Sequence, residues 1–416
     1  MSDSAVPGNR SKSAGMAFIM IAVLIDMISI GLIIPVLPPL VGTFTASQAD
    51  HAFWYGAVAF AFGFANFVTS PVLGALSDRY GRRPVLLLGF SGLMLSFFVT
   101  AMATALWMLI AIRLVSGAMQ ANIAVANAYV ADITPPEDRA KRFGMLGAAF
   151  GMGFILGPVM GGILGSIDLH LPFYVAGCMA LVNWCYGFFV LPESLKPENR
   201  RAIDWRKANP ISAFRKLTGL RGVGPLVWVI ALAGLAQFVL HTSWVLYTGF
   251  KFGWGPKENG WSLFAVGVMS VVVQGALLPH LLKRFGPQRL VLLGLASSTV
   301  TNFVWGAATE GWMMIAIIFA NVLGFAANAA IQSLISNAAD AKTQGETMGA
   351  VSSLNSLMAV VAPILGAWLL HLVSGLPKGD WRIGAPFYFC TALQAAALFF
   401  AWRHFSRKQA AEPAAA

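Results

Sequence analysis

The chain has 416 residues, of which 57% are hydrophobic and only 11% charged, with a mean hydropathy of +0.71. Soluble domains carry charge on roughly a quarter of positions, so this composition describes a polytopic membrane protein. The formal net charge of +11 is spread through short loops between apolar runs, which excludes the basic face or tail of a nucleic-acid-binding protein.

Taken in order, apolar segments able to cross a ~30 Å hydrocarbon layer at ~1.5 Å per residue fall at 16–41, 53–76, 84–104, 106–130, 143–166 and 172–191. After a polar break they resume at 224–249, 258–282, 288–308, 311–336, 347–372 and 384–402. The expected fold is therefore all-α, with twelve transmembrane helices in two pseudo-symmetric six-helix halves. The expected organisation is an N-terminal tail 1–15, a first bundle 16–191, a linker 192–222, a second bundle 223–403 and a C-terminal tail 404–416. Twenty-three of the 28 Lys and Arg lie on the side of the tails and linker. Basic residues are retained on the cytoplasmic side, so both termini are expected there, in a bacterial-type inner membrane.

The first run contains a carboxylate, Asp26. A charge in a span costs about 2.5–3.5 kcal/mol on insertion scales, so its default reading is functional, here a proton site. Capping of broken backbone near Gly31 and Pro35 is the alternative. Arg113, in the fourth run, is the other charge placed well inside a span. Burial and a nearby cation would act in opposite senses on Asp26, and a conformational change that rebalanced them would take up and release a proton. Snorkelling to the outer interface is the alternative for Arg113.

The loop after the second run reads Gly74-Ala-Leu-Ser-Asp78-Arg79-Tyr-Gly81-Arg82-Arg83-Pro84. Gly81 permits a tight turn and Pro84 suits a helix start. Positive-inside anchoring alone would also explain its charges. The fifth run holds Gly147, Gly151, Gly157, Pro158, Gly161 and Gly162, a spacing that lets helices approach closely. At a constant offset of 205, Arg79, Gly81 and Gly89 fall on Arg284, Gly286 and Gly294, and Gly144, Pro158 and Gly161 on Gly349, Pro363 and Gly366. The second half therefore reads as a diverged copy of the first, one of the repeat types that build secondary transporters.

The 74–84 stretch resembles the G-x-x-x-D-R-x-G-R-R motif of the major facilitator superfamily. The resemblance implies a cytoplasmic latch, in which Asp132 is the acidic partner of Arg82. The second-half loop, with Lys283, Arg284 and Gly286, lacks the Asp and one Arg. The glycine run resembles the family's antiporter signature, which implies export rather than uptake. Over about residues 16–400 the chain is similar to the tetracycline/proton antiporter branch, through Asp26 with Gly31 to Pro38, Trp107 before Arg113, Pro172-Phe173, Phe252-Gly253-Trp254 and Glu310-Gly311-Trp312. It departs from that branch where three coupling or drug-associated residues correspond to Ser96, Ser270 and Ser298, which puts tetracycline and a metal-chelate substrate in doubt.

Polar groups within spans are candidates for a substrate cavity: Gln120, Asn122, Gln237, His241, Gln274, Asn302, Asn328 and Gln332. Interhelical hydrogen bonding is the plainer role for each. The three cysteines, Cys178, Cys185 and Cys390, show no CxxC spacing and read as small core residues. No nucleophile, base and orienter cluster appears, so neither an enzyme nor a metal site is indicated. The reading is a monomeric, proton-coupled exporter of a small amphipathic compound, with no cofactor beyond the proton gradient and no nucleic-acid partner. A proton-coupled nutrient importer and a non-transporting receptor on the same fold are the alternatives.

Overall fold

The computed structural model describes residues 7–120, 122–135, 138–200, 224–338 and 344–411. The expected linker beyond Arg200, and the ends of both expected tails (1–6 and 412–416), lie outside the described residues. In chain order the helices are α1 (Pro7–Ile33), α2 (Leu37–Gly42), α3 (Gln48–Tyr80), α4 (Arg82–Ala101), α5 (Leu106–Met119), α6 (Asn122–Ile133), α7 (Arg139–Ile167) and α8 (Leu171–Val190). There follow α9 (Gly224–Phe252), α10 (Pro256–Val271), a π-helical turn Val272–Leu277, α11 (Leu278–Ala307), α12 (Gly311–Ala320), α13 (Val322–Ala338), α14 (Gln344–Val373) and α15 (Ala385–Ala411).

Among the described residues nine helices are long and apolar enough to cross a membrane. One of them, Pro256–Ala307, is 52 residues long and breaks at Gly286, whose φ of 71° no helix contains, so it is two spans. A bent pair, Gly311–Ala320 with Val322–Gln332, and the shorter apolar helix Phe18–Ile33 complete twelve.

Helices dominate because the interior of a bilayer offers no partner for an open backbone. Where the chain does leave helical geometry, local bonds close the gap. Between α1 and α2 Pro35 has no N–H to give, and Ile34 N donates to Gly31 O at 3.2 Å and Val36 N to Ile33 O at 3.1 Å. α5 stops at Gln120 (φ −90°, ψ 90°), and Asn66 Nδ2 on α3 donates to the freed Gln120 carbonyl at 2.5 Å. α12 stops at Asn321, whose Oδ1 accepts from Ser297 Oγ at 2.9 Å.

The described residues fall into two compact units, those within Met1–Leu40, Phe64–Asn209 and Pro256–Phe264, and those within Val41–Gly63, Pro210–Gly255 and Ala265–Ala416. In the first, α1 packs on α7 and α8, and α4 on α8 and α5. Its core gathers Phe18, Met27, Leu86, Phe90 and Tyr129. In the second, α9 packs on α14 and α15, and α11 on α15 and α12. Each unit thus repeats the neighbour relations of the other, as a duplicated six-helix half would. A small core around Ala236, Val239, Ala362 and Cys390 belongs to the second unit. Cys178, by contrast, is exposed on its span.

Candidate functional site

α1 owes its place to glycine. A Cβ at Gly31 would stand 2.9 Å from Gly157 Cα, one at Gly157 2.6 Å from Gly31 Cα, and one at Gly161 would run into the Leu32 carbonyl. Only residues without side chains permit this approach to α7, and packing of this kind replaces the hydrophobic effect as the force between helices in lipid. Gly153 joins the contact, its Cβ position being occupied by Met27. Gly162 faces Gly260 of the Pro256–Phe264 segment in the same unit. Gly147 plays no such part, because none of the described residues lies within 4 Å of where its Cβ would be.

Asp26 is carried into the first unit by that helix and is 3% exposed. Asn183 of α8, fully buried, donates from Nδ2 to Asp26 Oδ1 at 3.0 Å and to Ala22 O at 3.0 Å. The break after α1 lies eight residues further on, ~12 Å along a helix, and satisfies its own backbone. The alternative in which Asp26 caps that break therefore loses its basis. Arg113 is buried on α5 in the same unit, with Ser116 Oγ donating to its carbonyl at 3.3 Å.

At the N-terminal end of α4 a second cluster forms. Gly81 has φ 112°, a conformation open to glycine and strained for other residues, and the Glu193 carboxylate occupies the space a Cβ would need. Glu193 accepts from Arg82 N at 2.8 Å, Arg83 N at 3.2 Å and Leu195 N at 3.0 Å. It thereby caps the helix and places a negative charge at its positive end. The Arg82 side chain, itself buried, donates from Nε to Asp132 Oδ2 at 3.1 Å and from Nη1 to Ser77 Oγ at 2.8 Å and Asp78 Oδ1 at 2.5 Å. Ser194 Oγ donates to Asp132 Oδ2 at 3.1 Å, and Tyr129 OH to Pro192 O at 3.1 Å. Arg83 reaches the Phe188 carbonyl at 2.5 Å. Arg79 instead lies exposed against the Tyr80 ring, and Gly74 has open space around it.

The segment Pro192–Leu195, which composition assigns to a linker, is thus an integral part of this cluster. A signal existed in Leu191 and Leu195, apolar residues flanking a Pro-Glu-Ser; both are buried. In the second half Gly286 repeats the positive φ of Gly81, but none of the described residues lies within 4 Å of its Cβ position and Arg284 sits over Phe285.

The polar groups of the second unit are arranged differently. Gln237 Nε2 and His241 Nε2 are 2.7 Å apart on one face of α9, with His241 exposed. Gln274, also exposed, lies on the π-helical turn and donates to Ser270 Oγ at 2.5 Å. Gln332 is exposed on α13. A polar group open to solvent within a span is expected to face a watery cavity rather than lipid. Asn302 is buried, donating to Ser298 O at 2.8 Å, and its Oδ1 finds no hydrogen-bond partner among the described residues. Gln120 belongs to the first unit, with Oε1 buried and unmatched among the described residues. The side chains of Asn122 and Asn328 lie outside the described residues. A cavity of about 380 Å³ opens in the first unit between α1 and α8, lined by Ile25, Tyr174, Val175, Cys178, Met179 and Val182. None of the polar residues read from the sequence lines it. Among the described residues no group of three or more His, Cys, Asp or Glu is placed to hold a metal ion.

The Major Facilitator Superfamily model matches residues 19–358 and 229–416. The chain is 36% identical to the class C tetracycline resistance protein of Escherichia coli, over 88% of this chain and 92% of that one. It is 34% identical to the class D protein of Salmonella ordonez, over 89% and 93%. Among solved structures the human organic anion transporter MFSD10 aligns with a TM-score of 0.67 at 22% identity, covering 95% of this chain and 100% of the other.

Proposed function

The chain belongs to the Major Facilitator Superfamily and is an integral membrane transporter rather than an enzyme; from that premise we propose that it is a proton-coupled antiporter exporting a small amphipathic, drug-like compound by alternating access. The observation that carries the proposal is Asp26, a carboxylate buried mid-helix in the first unit, in a chain whose relatives are named for resistance to a drug. In this reading Asp26 takes up and releases the proton, and Arg113 tunes how tightly it is held. Both termini are cytoplasmic. Asp78, Arg79, Arg82, Arg83 and Asp132 latch the cytoplasmic side, with Gly74 and Gly81 shaping the turn, and Gly157, Pro158, Gly161 and Gly162 keep α7 packed against its neighbours.

Gln120, Asn122, Gln237, His241, Gln274, Asn302, Asn328 and Gln332 are the proposed substrate contacts. Their mixture of amides and one imidazole suits an amphipathic ligand held by a few hydrogen bonds in a largely apolar site. Serines at 96, 270 and 298 argue that the compound is not bound as a metal chelate. A drug-susceptibility panel in a pump-deficient bacterial host tests the reading. The wild type should raise resistance to at least one amphipathic compound, and Asp26→Asn, expressed equally, should not. Equal susceptibility of both strains and the empty host across the panel would speak against export.

A further inference from the structure

The carboxylate of Asp26 is held by a neutral side chain that belongs to none of the motifs. Asn183 Nδ2 lies 3.0 Å from the Ala22 carbonyl oxygen and 3.0 Å from Asp26 Oδ1. A backbone carbonyl can only accept, so the NH2 end of the amide must be the one turned toward Ala22. Its second N–H is then committed to Asp26 Oδ1. The opposite end of the amide, Asn183 Oδ1, is buried and has no hydrogen-bond partner among the described residues. Leaving a buried acceptor unmet is costly, and turning the amide over would set two oxygens against each other at Ala22. The orientation is therefore fixed by the backbone of α1.

The titratable groups on the helices packed against α1 are few. α7 carries Arg139, Lys141 and Arg142, all in its first turn. α8 carries Tyr174, Cys178, Cys185 and Tyr186, the last of these with its ring tilted against Phe18 at 4.5 Å between centroids. On α6, Tyr129 donates to Pro192 O, and Asp132 accepts from Arg82 and Ser194. Arg113 on α5 is the buried base of the same unit.

We propose that Asn183 is a positioning residue of the proton site: it holds Asp26 Oδ1 as an acceptor and so orients the carboxyl that takes and gives up the proton. A bond from N–H to a carboxylate is roughly twice as strong as one to a neutral acid, so Asn183 grips the charged form of Asp26 more tightly than the protonated one. It also ties that difference to the α1–α8 contact, because the same nitrogen holds the Ala22 carbonyl. The proposal rests on the reading of Asp26 as proton carrier.

The test is infrared difference spectroscopy on the full chain in liposomes, between about pH 5 and about pH 9, with no substrate needed. The carboxylic C=O stretch that disappears in Asp26→Asn identifies Asp26. In Asn183→Leu that band should move to higher wavenumber, since its carbonyl loses a donor, and the variant should keep its proton to a pH about one unit higher. Asn183→Gln, which retains an amide, should return the band toward its wild-type position. A folded Asn183→Leu protein with the wild-type band and titration midpoint overturns the proposal and leaves Asp26 as proton carrier untouched. If Asn183→Leu does not fold, Asn183→Ala is read by the same two criteria. If no band is lost in Asp26→Asn, the reading of Asp26 itself fails, and the role of Asn183 fails with it.

Discussion

Glu193 does for α4 what the residue next to that helix cannot. The N-cap position is Gly81, which has no side chain to offer, and its φ of 112° excludes the usual capping residues. A carboxylate three residues beyond the end of α8 takes over, accepting from two N–H groups of the first turn. Glu193→Ala should therefore destabilise the protein by about 1–2 kcal/mol, seen as earlier thermal unfolding in detergent. Glu193→Gln, which keeps an acceptor but loses the charge at the helix end, should cost less. Outside the spans, Arg382 holds the Asp380 carboxyl below its ordinary value of 3.8 through side-chain and backbone hydrogen bonds. A lowered folded value means that any stability this carboxyl contributes is complete above the ordinary carboxylate range and is lost as pH falls below it. An Asp380→Asn variant should accordingly differ from wild type in melting temperature at neutral pH and converge with it in acid.

Residues of these kinds differ in how visible they are before folding. Asp26 stands out because a carboxylate in an apolar run is costly. Asn183 does not, since amides are common between membrane helices, and only the meeting of α1 with α8 gives it meaning. Glu193 looked like one more charge in a basic linker, and its role depends on an N-terminus 110 residues away in sequence.

At the scale of helices, the glycines of α7 separate into two classes that spacing alone does not distinguish. Gly157 and Gly161 are in backbone contact with α1, while Gly144 and Gly147 face open space. Gly157→Ala and Gly161→Ala should lower the yield of folded protein, because the backbone of α1 would have to move. Gly147→Ala should be neutral or stabilising by up to about 1 kcal/mol, through the entropy glycine loses on helix formation. Size-exclusion profiles and melting temperatures of the three variants check the contrast. The breaks at Gln120 and Asn321 were equally hidden: 106–130 and 311–336 read as unbroken apolar runs, with neither proline nor glycine at the break. The second of these pairs bends by 51°. Each break is held by a polar side chain from another helix, Asn66 in one case and Ser297 in the other, which hydropathy does not report.

For the whole molecule, the count of spans and the duplication were legible because both are written in regular patterns, apolar runs of near-constant length and glycines at one offset. Interrupted spans in corresponding positions of two halves are the usual mark of a transporter's binding region, and here they fall in the fourth span of each half. The halves are nonetheless unlike in chemistry. The first holds Asp26, Asn183, Arg113 and the Arg82 cluster, whereas the second presents half-buried Gln237 beside exposed His241, and exposed Gln274. That asymmetry suits a division of labour in which one half handles the proton and the other much of the substrate. Such a division predicts that Gln237→Ala and Gln274→Ala change which compounds are exported without uncoupling export from the pH gradient. Resistance profiles alongside proton-flux measurements would show it.

In the proposed cycle Asp26 couples proton movement to export. Proteoliposomes holding purified protein, with a compound picked by the susceptibility panel and an imposed pH gradient, put that coupling to the test. Wild type should drive accumulation of the compound against its gradient. Asp26→Asn, reconstituted in equal amount, should lose that accumulation while still exchanging the compound down its own gradient. Undiminished gradient-driven transport by Asp26→Asn would contradict the account.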